Sequence, residues 1–201
     1  MSGRGDAPLL PRGEYDSSSA FAVKVGAENV FEDINFAAST GGVLTRLSGA
    51  RVRCRLVKNS SGIALLPGRL AVFKAGTGFT EVDGYVTTTG KSPCAVVDEY
   101  LPSAGVPDGS YFWVVVDGPV SGLTSLAGDA TNVITEANPI VALTAATSQA
   151  TTAGRMAEIS TFAASTHLGS ELLGVIGRAL SAKTTAQTNG AVRIWFKGVG
   201  F

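Results

Sequence analysis

Asp108-Gly109-Ser110-Tyr111-Phe112-Trp113-Val114-Val115-Val116-Asp117-Gly118-Pro119 is the stretch that decides the fold. From Tyr111 to Val116 every residue is aromatic or β-branched. Alternate side chains of a strand point to opposite faces, and here both sets are apolar, so the run suits a strand covered on both sides. Asp108-Gly109 supplies a turn before it, and Gly118-Pro119 is expected to end it. Full burial of each large apolar side chain contributes about 1.5–3 kcal/mol, which makes this strand the expected centre of the core.

On either side lie more short strand patterns. Ala50-Arg51-Val52-Arg53-Cys54-Arg55-Leu56 alternates without a break: Ala50, Val52, Cys54 and Leu56 face one way and Arg51, Arg53 and Arg55 the other. Asn59-Ser60-Ser61-Gly62 reads as a turn. Ile63–Leu66 and Leu70–Lys74 follow, split by Pro67-Gly68, and then Tyr85–Thr88 and Ala95–Val97. Ala20–Val25, closed by Gly26, is a further expected strand. Near the end, Leu172–Leu180 carries close-packed glycines, and Ala191-Val192-Arg193-Ile194-Trp195-Phe196-Lys197 places Val192, Ile194 and Phe196 in one row. Around Asn189-Gly190 these two make a hairpin with a long polar loop.

Segment 121–155 is rich in Ala, Thr and Ser, and Asn138-Pro139 interrupts any helix there. Short strands and exposed loops are expected in it, with a helix over 153–162 as the one weak helical signal. Residues 1–19 hold Pro8, Pro11 and the Ser17-Ser18-Ser19 run without a period of 2 or 3.6. They read as an extended arm that orders only against a partner, or as a frayed terminus. The chain is thus expected to be mainly β: a sandwich or partly closed barrel of short antiparallel strands over 20–201, with an extended N-terminal arm over 1–19 and a loop-rich insertion at 121–155.

Composition narrows the function. The 201 residues carry 16 Lys+Arg against 16 Asp+Glu, a formal net charge of zero, and only 16% are charged, against roughly 25% in ordinary soluble domains. A polyelectrolyte-binding protein needs excess positive charge, so nucleic acid is not an expected partner. No apolar run reaches the ~18 residues that span a bilayer, so no membrane partner is expected. The N-terminus Met1-Ser2-Gly3-Arg4-Gly5-Asp6 lacks the apolar core of a secretory signal, and a protein made in a cytoplasm is expected. A surface this poor in charge guards weakly against association, so part of it is expected to be covered by protein.

Sites for chemistry are sparse. His167 is the one histidine and lies beside Ser165 and Thr166, with no nucleophile-elbow pattern near it. Cys54 and Cys94 belong to no Cys-x-x-Cys pair, and two buried thiols are expected in place of a bridge or metal site. Asp98, with Glu99, and Asp117 end neighbouring strand patterns and form the one carboxylate pair worth testing for glycoside hydrolysis. Neither Gly76-Thr77-Gly78 nor Gly3-Arg4-Gly5 has the lysine of a phosphate loop. No catalytic, cofactor-binding or metal-binding residue is therefore assigned. The Arg51/Arg53/Arg55 row spaces its cations about 6.6–7 Å apart. It calls for carboxylates from an adjacent strand or from a partner.

Leu66-Pro67-Gly68-Arg69-Leu70-Ala71-Val72-Phe73-Lys74, Gly84-Tyr85-Val86-Thr87, Ala95-Val96-Val97-Asp98-Glu99-Tyr100, the Gly109–Val116 strand, Gly174–Leu180 and Val192–Phe196 share a Gly-punctuated pattern. Over residues 60–201 this pattern resembles the capsid decoration (cement, head-stabilising) proteins of tailed bacteriophages. The resemblance implies a virion structural protein on the capsid exterior, made in the host cytoplasm. It implies the major capsid protein and further copies of the chain, as a trimer or other homo-oligomer, as partners, and no cofactor. Expected interface residues are Leu9, Leu10, Arg12 and Tyr15 of the arm and the Arg51, Arg53, Arg55 row. The alternatives are another virion component (tail-tube, head-fibre or receptor-binding piece), a carboxylate-dependent hydrolase, and a carbohydrate-binding module, for which Trp195 is the available aromatic.

Overall fold

The computed structural model describes residues 10–35, 45–86, 93–123, 134–142, 154–158, 175–183 and 191–198. Leu9, His167 and the helix expected beyond residue 158 lie outside them. Among the described residues the chain is mainly β. Its strands are β1 (Tyr15–Asp16), β2 (Glu28–Asn35), β3 (Thr45–Asn59), β4 (Leu70–Phe73), β5 (Glu81–Tyr85) and β6 (Cys94–Val97). After them come β7 (Tyr111–Leu123), β8 (Pro139–Ala142), β9 (Met156–Glu158), β10 (Val175–Ala179) and β11 (Ala191–Lys197).

These strands form one mixed sheet in the order β2-β3-β5-β4-β6-β7-β11-β10-β8-β9, with β1 added on β7. One pairing outside this order, β3 with β7, bends part of it into a partial ring of five strands: β3, β5, β4, β6 and β7. Only one pairing is parallel: β3–β5, through Lys58↔Glu81 and Asn59↔Val82. Each ring strand contributes to one apolar cluster, with Val57, Phe73, Val82, Val97 and Val114 among its members. A second cluster lies on the opposite face of β7 and takes in Val52, Trp113, Val115, Ile176, Ile194 and Phe196. The Tyr111–Val116 run is therefore covered on both faces, as its residue types require.

Strand β7 does not stop at Gly118-Pro119; it runs to Leu123. The Val116 carbonyl accepts from the Gly198 N–H at 3.1 Å, so residues 117 and 119 aim their backbone groups at the other side. There the pairing with β3 ends at Arg53↔Asp117, and the N–H that Pro119 lacks is not needed. Gly118 has φ +111, and a Cβ on it would lie 2.6 Å from the Arg51 carbonyl oxygen. The strand therefore turns from one partner to the next at a residue without a side chain.

Four other expectations are corrected. Residues 19–24 form a 3-10 helix, not a strand, with no buried residue. The Asp16 carboxylate accepts from the Ser18 N–H at 2.5 Å, a local turn that leads into this helix. Ile63–Leu66 pairs only through the single Leu65↔Val106 bridge. Strand β5 covers Glu81–Tyr85, so of the strand expected over 85–88 Tyr85 closes an earlier strand and Val86 lies outside it, while Thr87 and Thr88 lie outside the described residues. Residues 156–158 are strand β9 against β8, where a helix was expected.

The segment from residue 10 onward is packed on the body and not held free for a partner. Leu10 sits in the larger apolar cluster, and the Trp113 indole N–H donates to its carbonyl at 2.6 Å. Tyr15 and Asp16 pair with Phe112 and Tyr111. A buried indole donor needs an acceptor, and the chain supplies one only by laying its own N-terminal segment across the sheet.

Candidate interaction surface

Strand β2 explains the arginine row. Glu28, Val30 and Glu32 stand opposite Arg55, Arg53 and Arg51. Glu28 accepts from Arg55 Nε at 3.1 Å and lies 3.7 Å from Arg53 Nη1. Asp117 of β7 approaches Arg53 from the other side at 3.9 Å. The Arg55 guanidinium also lies over the Phe79 ring, 5.8 Å from its centroid. The carboxylates that the row calls for thus come from the neighbouring strands of the same chain, and Arg51 is the member left exposed.

A second group of charges is buried. Arg12 Nε donates to Asp98 Oδ2 at 3.0 Å, with both side chains essentially sealed from solvent. Arg193 Nη1 donates to Glu99 at 2.7 Å, and its Nη2 reaches Asp33. Asp33 also accepts from the Ser48 hydroxyl at 2.6 Å. Tyr100 closes the group: its hydroxyl donates to the Ile34 carbonyl at 2.6 Å, and Arg12 lies over its ring at 4.8 Å. Burial opposes the charge on Arg12, but the charge of Asp98, its hydrogen bond and the charge of Glu99 act together against it and hold the guanidinium protonated. Burial pushes Asp98 above the usual carboxylate range. Burial and the Glu99 charge raise the Tyr100 hydroxyl to about 12. The cluster ties the N-terminal segment, β2, the end of β6 and β11 together. Leu10 and Arg12 are thereby spent inside the molecule, whereas Tyr15 remains exposed.

The hairpin of β10 and β11 presents a different face. Val192, Ile194 and Phe196 point inward, while Trp195 and Lys197 point out. Arg178 is directly opposite Trp195, and Val175 and Leu180 are exposed on the same hairpin.

The carboxylate pair does not assemble. The β6–β7 register sets Asp117 level with Cys94. Its backbone is then about 13 Å from that of Asp98, four strand residues on, beyond the roughly 5–9.5 Å of a glycosidase pair. Asp98 is moreover turned to Arg12 and Asp117 to Arg53. Cys54 and Cys94 are free and buried, and burial pushes the Cys54 thiol far up. Among the described residues no three His, Cys, Asp or Glu side chains come together to hold a metal. An open hollow of about 340 Å³ lies between Ala22, Val25, Lys58, Thr80, Glu81 and Tyr111.

Sequence reading missed Asp33 and Arg193 as partners, because their contact joins residues 160 positions apart. No local signal marked it: Glu28-Asn29-Val30-Phe31-Glu32-Asp33-Ile34-Asn35 has no alternation that would set Asp33 on a buried face. No family model, no curated protein and no solved structure matches the chain.

Proposed function

We propose that the chain is a structural virion protein that binds the outside of an assembled icosahedral phage head and cross-bridges its capsomers. The observation that carries this reading is the exterior: eight large apolar side chains are exposed among the described residues, Val23 at 88% and Trp195 at 43% among them. The resemblance over residues 60–201 supplies the partners, the major capsid protein and further copies of the chain. No step of bond making or breaking is assigned to it. Its mechanism is mass action: a protein that binds only the assembled shell favours that shell over its dissociated subunits. Many identical weak contacts on a repeating lattice then act together.

The test is addition of purified protein to undecorated phage heads assembled from major capsid protein. Co-sedimentation with heads at a fixed ratio to coat protein, saturating as protein is added, supports the reading. Protein left in the supernatant at every concentration rejects it. Gold-labelled antibody on whole particles separates head from tail, and label confined to tails would favour the tail-component alternative.

A further inference from the structure

The outer face of the β10–β11 hairpin joins an exposed indole to two cations with no ion-pair partner among the described residues. Trp195 is 43% exposed on strand β11. Arg178 is its cross-strand partner and Lys197 follows it on the same face, both exposed. Asp117 is opposite Lys197 in register, yet its carboxylate turns to Arg53 at 3.9 Å. Arg193, the third cation of this hairpin, is taken by Glu99 and Asp33. Val175 and Leu180 add exposed apolar surface beside them.

We infer that this face docks an extended acidic segment of a partner protein, with Trp195 as the anchor. Tryptophan and arginine dominate the energetics of protein interfaces, and a rigid strand presents them without much entropy cost. Arg178 and Lys197 are diagonal neighbours across the hairpin, roughly 7–8 Å apart at Cβ. Alternate residues of an extended chain are spaced about 6.6–7 Å apart. A segment with acidic residues at alternate positions therefore sets one carboxylate on each cation, and apolar residues further along that same face of the segment meet Val175, Leu180 and the indole. Two unpaired cations are too few for a nucleic acid, where phosphate contacts number about 6–10 in a typical complex. A neutral sugar would use the indole and leave both cations idle. The inference holds for any partner of this chemistry and so stands apart from the head-binding proposal.

The probe is a synthetic peptide with two Glu at alternate positions and a Leu two positions outside each, so that all four share one face of the extended chain, titrated into the full chain while tryptophan emission is followed. Trp113 is fully buried, so a shift in emission reports Trp195. A saturable blue shift that weakens as salt is added is expected. Trp195→Ala, followed by calorimetry, should weaken binding about tenfold or more. Arg178→Glu with Lys197→Glu should do the same, while Arg51→Glu should leave binding intact. Thermal melting confirms that each variant is folded, and Arg178→Gln with Lys197→Gln replaces the double reversal if it is not. The inference is overturned by an emission unchanged at saturating peptide, or by full binding in the folded charge variant. Tighter binding of oligo-dT or of a neutral gluco-oligosaccharide would equally overturn it.

Discussion

At Arg12 the side chain is 1% exposed, and Asp98 opposite it is 0% exposed. Removing one member of such a pair leaves the other charge buried without a partner, which typically costs about 3–5 kcal/mol. Glu28 contacts two arginines, but it is a third exposed and Arg53 is more so. Exposed pairs of this kind are worth about 0–1 kcal/mol. Urea titration should therefore show Arg12→Ala losing several times the stability lost by Glu28→Ala. Equal losses would contradict the burial of the pair. Tyr100 gives a prediction in pH. Its hydroxyl is held at about 12, above the ordinary 10, so the unfolded chain ionises first as pH rises. The stability this contributes is complete below about pH 10 and is lost as pH climbs toward 12. Absorbance at 295 nm should show a late-titrating tyrosine that disappears in Tyr100→Phe.

Among the elements, β7 and β11 were legible because their patterns are local. Six apolar residues in a row identify a strand buried on both faces, and strict alternation gave β11 and the 50–56 part of β3, which runs on to Asn59. The 3-10 helix at 19–24 was not legible, because the residue preferences of Ala20–Val25 favour a strand and no capping side chain or buried face marks the helix. Strand β9 was hidden for another reason: three residues hold too little pattern, and pairing with β8 alone makes them a strand. Gly177 was read correctly as close-packed, and Gly174 lies outside the described residues. A Cβ at Gly177 would lie 2.2 Å from the Trp195 carbonyl oxygen, so Gly177→Ala forces β10 away from β11. Overpacking of this kind costs about 1–3 kcal/mol. Amide exchange should speed up in β10 and β11 of that variant while β3 and the first half of β7 keep their protection.

Over the whole molecule, charge and topology act together. The mainly β class followed from turn spacing and the absence of helical periods, but the ring did not. Its closure depends on two parallel residue pairs between β3 and β5, which no local pattern encodes. The candidate surface was half legible. The arginine row was visible, whereas the carboxylates that meet it lie on β2 and β7 and appear only once register is known. The N-terminal segment was the larger surprise: its Pro, Gly and Ser content reads as loose, yet Leu10 and Arg12 insert into the body. Deletion of residues 1–19 removes both, together with the acceptor for the Trp113 indole. The truncated chain should melt at a markedly lower temperature than the full chain, and an unchanged melting curve would contradict the packing of that segment.

Head stabilisation is the central claim, and scanning calorimetry of purified undecorated heads with and without the protein tests it most directly. Selective binding to the assembled shell predicts that shell dissociation moves to higher temperature as protein is added, levelling off once every lattice site is filled. A dissociation temperature unmoved at saturating protein would contradict the account.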